Sequence, residues 1–96
     1  MSMIILWKAD YDGKDIRGDL KKLDEINSKV QKKIGGKIEG PYFPQDASLL
    51  YVFQVDEYEW LNKAGRIWFR EAEKAKLQFV PKSYEVAVTP TEFFGK

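Results

Sequence analysis

Between residues 3 and 11 apolar side chains alternate, with Met3, Ile5, Trp7, Ala9 and Tyr11 on one side and Ile4, Leu6, Lys8 and Asp10 on the other. This two-residue period predicts a strand buried on one face and partly covered on its second. Asp12-Gly13 then turns the chain. From Ile16 the spacing lengthens to three and four. Ile16, Leu20, Leu23, Asn27, Val30 and Ile34 share one side of a helix that Gly35-Gly36 ends as a C-cap. Asp15 or Asp19 stands in position to cap its start, and Gly18 weakens the first turn.

Lys37 to Phe43 reads as a second strand, cut short by Gly40-Pro41 and Pro44. Ser48 to Val55 is the most apolar segment. Leu50 and Val52 point one way and Leu49, Tyr51, Phe53 and Val55 the other, which predicts a central strand covered on both faces. Asp56 and Glu59 have capping-box spacing and open a second helix reaching about Ala75, with Leu61, Ala64, Trp68, Ala72 and Ala75 as its core stripe. Leu77 to Val80 is an extended connection, and Ser83 to Thr89 alternates as a last strand. The order β-α-β-β-α-β predicts an α+β two-layer sandwich of ferredoxin-like plan, two helices covering one face of a four-stranded antiparallel sheet. The 96 residues contain neither an internal repeat nor a low-complexity linker, so residues 1–96 are expected to form a single domain.

Such a plan has trouble hiding its apolar residues. On the second helix, Trp60 and Ile67 flank the stripe on one side and Tyr58 and Phe69 on the other. The apolar arc spans roughly 200°, about twice what a helix resting on a sheet needs. Whichever set of the third strand faces the helices, the other set remains, joined by Ile4 and Leu6. Each large side chain left in water forgoes roughly 1.5 to 3 kcal/mol, and four or five of them rival the stability of a small domain. Either the loop 40–47 and the tail 91–96 fold back over the open face, or a second copy covers it. The second outcome predicts a homo-oligomer with Tyr51, Phe53, Trp60, Ile67, Phe69, Phe93 and Phe94 among its contacts.

Composition narrows the chemistry. Cysteine and histidine are both absent, which excludes disulfides, thiolate nucleophiles, histidine-dependent triads and histidine- or cysteine-ligated metals. Asp10, Asp12 and Asp15 lie near Gly13, but a calcium loop opening at Asp10 would place Lys21 where its closing glutamate belongs. Gly35-Gly36 follows a helix instead of opening one, so no phosphate-binding loop is formed. No metal and no cofactor are expected. Sixteen Lys and Arg against fifteen Asp and Glu leave a charge of +1, so any basic site must be local. Lys21, Lys22, Lys29, Lys32 and Lys33, followed by Lys37, lie opposite the core stripe of the first helix with only Glu25 interrupting them, and Lys29, Lys32 and Lys33 are the candidate phosphate contacts. A solvated face is the simpler reading of the same residues, since Lys21 with Glu25 and Glu25 with Lys29 are i,i+4 pairs.

The apolar run Met3 to Trp7 is too short for a signal-peptide core or a membrane span, and a cytoplasmic location is expected. Abundant Lys and Glu with only two Asn match the composition of hyperthermophile proteins. The opening MIILWKADYDG and the closing TPTEFFGK resemble small uncharacterised proteins of hyperthermophilic archaea, a likeness that implies provenance and no activity. Lys8, Asp10, Tyr11, Tyr42, Tyr51 and Glu85 are the side chains left for catalysis, and no spacing pairs an acid with a base among them, so none is assigned as catalytic. The expected function is therefore a self-associating structural module. A cofactor-free enzyme or small-ligand binder of the dimeric α+β barrel type comes next, and a nucleic-acid binder acting through the lysine face third.

Overall fold

The structure is a computed structural model and describes residues 3–88. The elements follow in the order β1 (Met3–Tyr11), α1 (Ile16–Ile34), β2 (Lys37–Tyr42), β3 (Leu49–Val55), α2 (Glu59–Ala75) and β4 (Phe79–Val88). The sheet order is β2-β3-β1-β4, and every neighbouring pair is antiparallel. This is the α+β sandwich that the pattern predicts, with β1 and β3 at its centre. Ile5 pairs with Phe53 and Trp7 with Tyr51, so these side chains share the face beneath the helices. The helices thus take the Leu49, Tyr51, Phe53 and Val55 set, all four of them buried, and leave Leu50 and Val52 on the outer face.

Local chemistry fixes the start and end of α1. Asp15 is the N-cap, accepting from Gly18 N at 3.1 Å. The Tyr11 hydroxyl ties the strand to this helix start, accepting from Asp15 N at 2.9 Å and donating to Asp19 Oδ2 at 2.7 Å. At the far end Gly35 has φ +76° and its N–H reaches the Gln31 carbonyl at 3.0 Å, as the glycine C-cap predicts.

Two boundaries differ from the sequence reading by more than one residue. The capping box at Asp56 does not form: α2 begins at Glu59 behind Tyr58, which makes no side-chain cap. Strand β3 runs on to Val55, paired with Met3, so residues 56–58 are used to carry the chain from the sheet up to the helix layer. Strand β4 begins at Phe79 instead of Ser83 and includes Pro81. It is an edge strand with β1 on one side only, where a residue lacking an N–H is tolerated, and the register shifts at Lys8/Ala9 opposite it.

The core joins both layers through aromatic contacts. Phe53 is 1% exposed, with its ring centroid 5.3 Å from that of Trp60 and 5.1 Å from that of Trp68. Tyr51 is equally buried, and its hydroxyl donates to Asp24 Oδ1 at 3.2 Å. Burial first, then the Asp24 charge and the hydrogen bond, push its ionisation well above the ordinary tyrosine value. The fold thus favours the protonated phenol. That stabilisation is complete below pH 10, where an unfolded tyrosine is also protonated, and is lost as pH climbs toward the folded-state value. One such group gives a slope of about 1.4 kcal/mol per pH unit. Tyr51→Phe keeps the ring and should flatten the fall in stability above about pH 10, read from denaturant midpoints; an alkaline slope identical to that of the parent would refute the assignment.

Candidate functional site

The second helix meets the rest of the domain on a face turned from the predicted stripe toward its Trp60 and Ile67 flank, with Ala64 common to both and Leu61 and Trp68 partly buried against the core. Trp60, Ala64 and Ile67 are its buried residues, and the Trp60 indole donates to the Gly35 carbonyl at 2.9 Å. This draws α2 toward α1, where Lys29 Nζ lies 2.8 Å from Glu71 Oε1 and the Trp68 indole donates to Asn27 Oδ1 at 2.7 Å. Among the described residues little covers the β4 side of the sheet. Tyr84 and Val86 pair with Trp7 and Ile5 and so face the helix layer, yet they are 52% and 40% exposed.

Between α2 and this half of the sheet lies a cleft of about 850 Å³. The sheet contributes Trp7, Tyr51 and Phe53, and α2 contributes Leu61, Gly65, Trp68, Phe69 and Ala72. Leu77, Phe79, Pro81 and Tyr84 close the β4 side, while Leu23 and Asn27 reach in from α1. The volume falls in the range of small-molecule sites, and the wall chemistry is the apolar and aromatic kind such sites use. The rings of Trp7 and Trp68 are close to parallel, 22° between planes with centroids 6.0 Å apart. The large apolar arc of α2 thus resolves into two faces, one seated in the core and one lining the cleft.

Polar groups in the cleft are few. The Tyr58 and Tyr84 hydroxyls share a hydrogen bond at 3.0 Å, linking the start of α2 to β4, and this bond raises the Tyr58 ionisation above its ordinary value. Asn62, Glu73, Lys76 and Gln78 are exposed lining residues. Gly65 is the unexpected member, a glycine in the middle of a helix whose added Cβ would meet nothing within 4 Å. Glycine at such a position costs about 0.8 to 1 kcal/mol relative to alanine, and no close packing here requires it.

Most residues expected to contact a partner lie elsewhere. Tyr51, Phe53, Trp60 and Ile67 are core residues, at most 8% exposed, and cannot form a subunit contact without unpacking the domain, although Tyr51 and Phe53 back the floor of the cleft. Phe69 is 76% exposed and stands at the cleft. Phe93 and Phe94 lie outside the described residues. Of the phosphate-contact candidates, Lys29 is paired with Glu71, while Lys32 and Lys33 are exposed in the last turn of α1, where positive charge complements the helix dipole. The i,i+4 pairs read for Lys21, Glu25 and Lys29 are not among the ion pairs of the described residues; Lys22 approaches Asp19 instead, at 4.0 Å.

The catalytic candidates hold structural posts. Asp10 accepts from Ser48 N at 3.2 Å, Tyr11 braces the start of α1, and Tyr51 is bonded to Asp24. Tyr42 and Glu85 share register with Leu50 and Leu6 on the outer face. Among the described residues no three acidic side chains come together as a metal site. Sequence reasoning missed Asn27, Tyr58, Gly65 and Tyr84 as elements of one cleft. Asn27 and Gly65 did carry a signal: a polar residue within the apolar stripe of α1, and a glycine inside a helical run.

The outer face keeps an apolar centre of Ile4, Leu6, Leu50 and Val52, each half-buried by its neighbours, with Tyr42 and Val80 exposed nearby. At its edge Lys8 Nζ lies 2.8 Å from Asp46 Oδ2, and Lys82 donates to the Asp46 carbonyl. The hydrogen bond with Lys8, ahead of its charge, holds the Asp46 carboxyl below its ordinary range, and the same bond raises Lys8. No helix of the described residues is long and apolar enough to cross a membrane.

No protein-family model matches this sequence, and no curated protein is similar enough to serve as a relative. Solved structures do share the fold. Protein YJCS superposes with a TM-score of 0.66 at 7% identity, covering 93% of this chain and 99% of its own. Protein Atu4242 from Agrobacterium tumefaciens gives 0.53 at 14% identity, with 93% and 91% covered. At these identities the likeness establishes the β-α-β-β-α-β architecture alone.

Proposed function

We propose that this domain binds a flat, largely apolar small molecule in the cleft between α2 and the β1–β4 half of the sheet. The observation that carries the reading is the aromatic-lined space of about 850 Å³, left open along α2 at Gly65 where a side chain would fit. Aromatic walls favour a planar guest, because ring faces and edges then meet their electrostatic complements. The test is titration with N-phenyl-1-naphthylamine, a neutral probe that brightens on leaving water. Its seventeen heavy atoms, at roughly 0.3 to 0.4 kcal/mol each, predict saturable binding with a Kd on the order of 10 to 200 μM. Linear, unsaturable brightening at those concentrations would dismiss the reading.

The outer face supports a second reading, self-association of two copies. Its apolar centre, rimmed by Lys8, Glu39, Glu85 and Gln54, has the composition of an interface core inside a polar rim. Light scattering at micromolar concentration should give twice the chain mass, and Leu6→Glu should return it to that of one chain. A parent protein that already scatters as one chain removes this second reading.

A further inference from the structure

Resting on the cleft reading, we infer that Asn27 donates a hydrogen bond to the guest, so that the favoured ligand class is a planar aromatic molecule bearing a carbonyl-type acceptor oxygen. Asn27 is 6% exposed, the only buried polar residue among those described, and it lines the cleft. Its orientation follows from chemistry. The Trp68 indole N–H can only donate, so the side chain must turn its oxygen to Trp68, 2.7 Å away. The amide nitrogen with its two protons is left on the other side of the group, and no described residue accepts from it. Every side-chain nitrogen or oxygen sealed from solvent among the described residues has a partner. Among the described residues the Asn27 nitrogen is therefore not sealed from solvent, and the open space that this residue lines is the cleft.

An amide donor among apolar walls discriminates strongly. A guest with an acceptor in reach exchanges a bond to water for one to Asn27, whereas a hydrocarbon guest covers the N–H group and leaves it unpaired. The exposed polar groups discriminate less, because water reaches them with or without a guest. The Tyr58 and Tyr84 hydroxyls share one hydrogen bond, with the second proton of the pair open to solvent, and Asn62 donates to Glu59 at 3.2 Å. A neutral carbonyl suits the site better than a carboxylate, because no Lys or Arg side chain accompanies Asn27 at the α1 side of the cleft; Lys76 is the one cation among the lining residues and is exposed.

The matched pair 2-acetylnaphthalene and 2-ethylnaphthalene differs by one oxygen and tests this directly through displacement of N-phenyl-1-naphthylamine. The expected result is that Asn27→Leu shifts the affinity ratio of the two compounds toward the hydrocarbon by about fivefold to tenfold, the equivalent of one hydrogen bond. Asn27→Asp retains an acceptor for Trp68 while replacing the donor, and should shift the ratio in the same direction even if Asn27→Leu fails to fold. A ratio unchanged in Asn27→Asp, with both compounds still displacing the probe, overturns the role of Asn27 and leaves the cleft standing. Failure of the parent protein to bind N-phenyl-1-naphthylamine at all overturns the cleft reading and this inference with it.

Discussion

Phe53→Ala is expected to lower stability by about 3 to 5 kcal/mol, the usual cost of deleting a fully buried aromatic ring. Phe53 stands where the two layers meet, its ring against both Trp60 and Trp68, so its loss opens a void between the central strand and α2. The neighbours cannot easily collapse into that space. Trp60 is held by the Gly35 carbonyl and Trp68 by Asn27, and moving either ring breaks a partly buried hydrogen bond. Domains of this size have about 5 to 15 kcal/mol of stability in all, so the variant should unfold at a much lower guanidinium concentration. Phe53→Leu, which keeps most of the volume, should cost about 1.5 kcal/mol or less. Equal midpoints for the alanine variant and the parent would show that the layers are not joined at this residue.

Gly65→Phe should abolish probe binding, raising the Kd of N-phenyl-1-naphthylamine about a hundredfold, or ~2.7 kcal/mol, without loss of stability. The two effects separate because of where this glycine lies. A Cβ added there meets nothing within 4 Å, so a new side chain enters open cleft and not packed core. Removing glycine from a helix interior is itself favourable, and Gly65→Ala should stabilise the domain by about 0.8 to 1 kcal/mol. Alanine is too small to obstruct the cleft and should bind the probe almost as the parent does. Unimpaired binding by Gly65→Phe would place the probe elsewhere on the protein.

The fold was legible where periodicity and end chemistry agree. The alternation from Met3 to Tyr11, the three-and-four spacing of α1 and the glycines after Ile34 each point to one structure. Legibility failed where a pattern permits more than one answer. An arc of roughly 200° on α2 cannot say which half packs, and the choice fell to long-range contacts of Trp60 with Gly35 and Phe53. Both sets of side chains on β3 are apolar, so alternation alone could not tell Tyr51 and Phe53 in the core from Leu50 and Val52 outside it. The Asp56 cap was misread because a local motif says nothing about how many residues the chain needs to climb from one layer to the next. The cleft is not legible in the sequence because its parts come from five elements far apart in the chain, and Asn27 and Tyr84 acquire meaning only beside Trp68 and Tyr58.

In the proposed reading the cleft beside α2 takes up much of the apolar excess of this chain, and the three tryptophans report on it separately. Trp7 and Trp68 line the cleft, whereas Trp60 faces the core and is bonded to Gly35. In an amide and indole nitrogen correlation spectrum, added N-phenyl-1-naphthylamine should move the indole N–H signals of Trp7 and Trp68 and leave that of Trp60 nearly still. A spectrum in which both cleft signals stay fixed while the amides of Leu6 and Val52 on the outer sheet face shift would contradict the account.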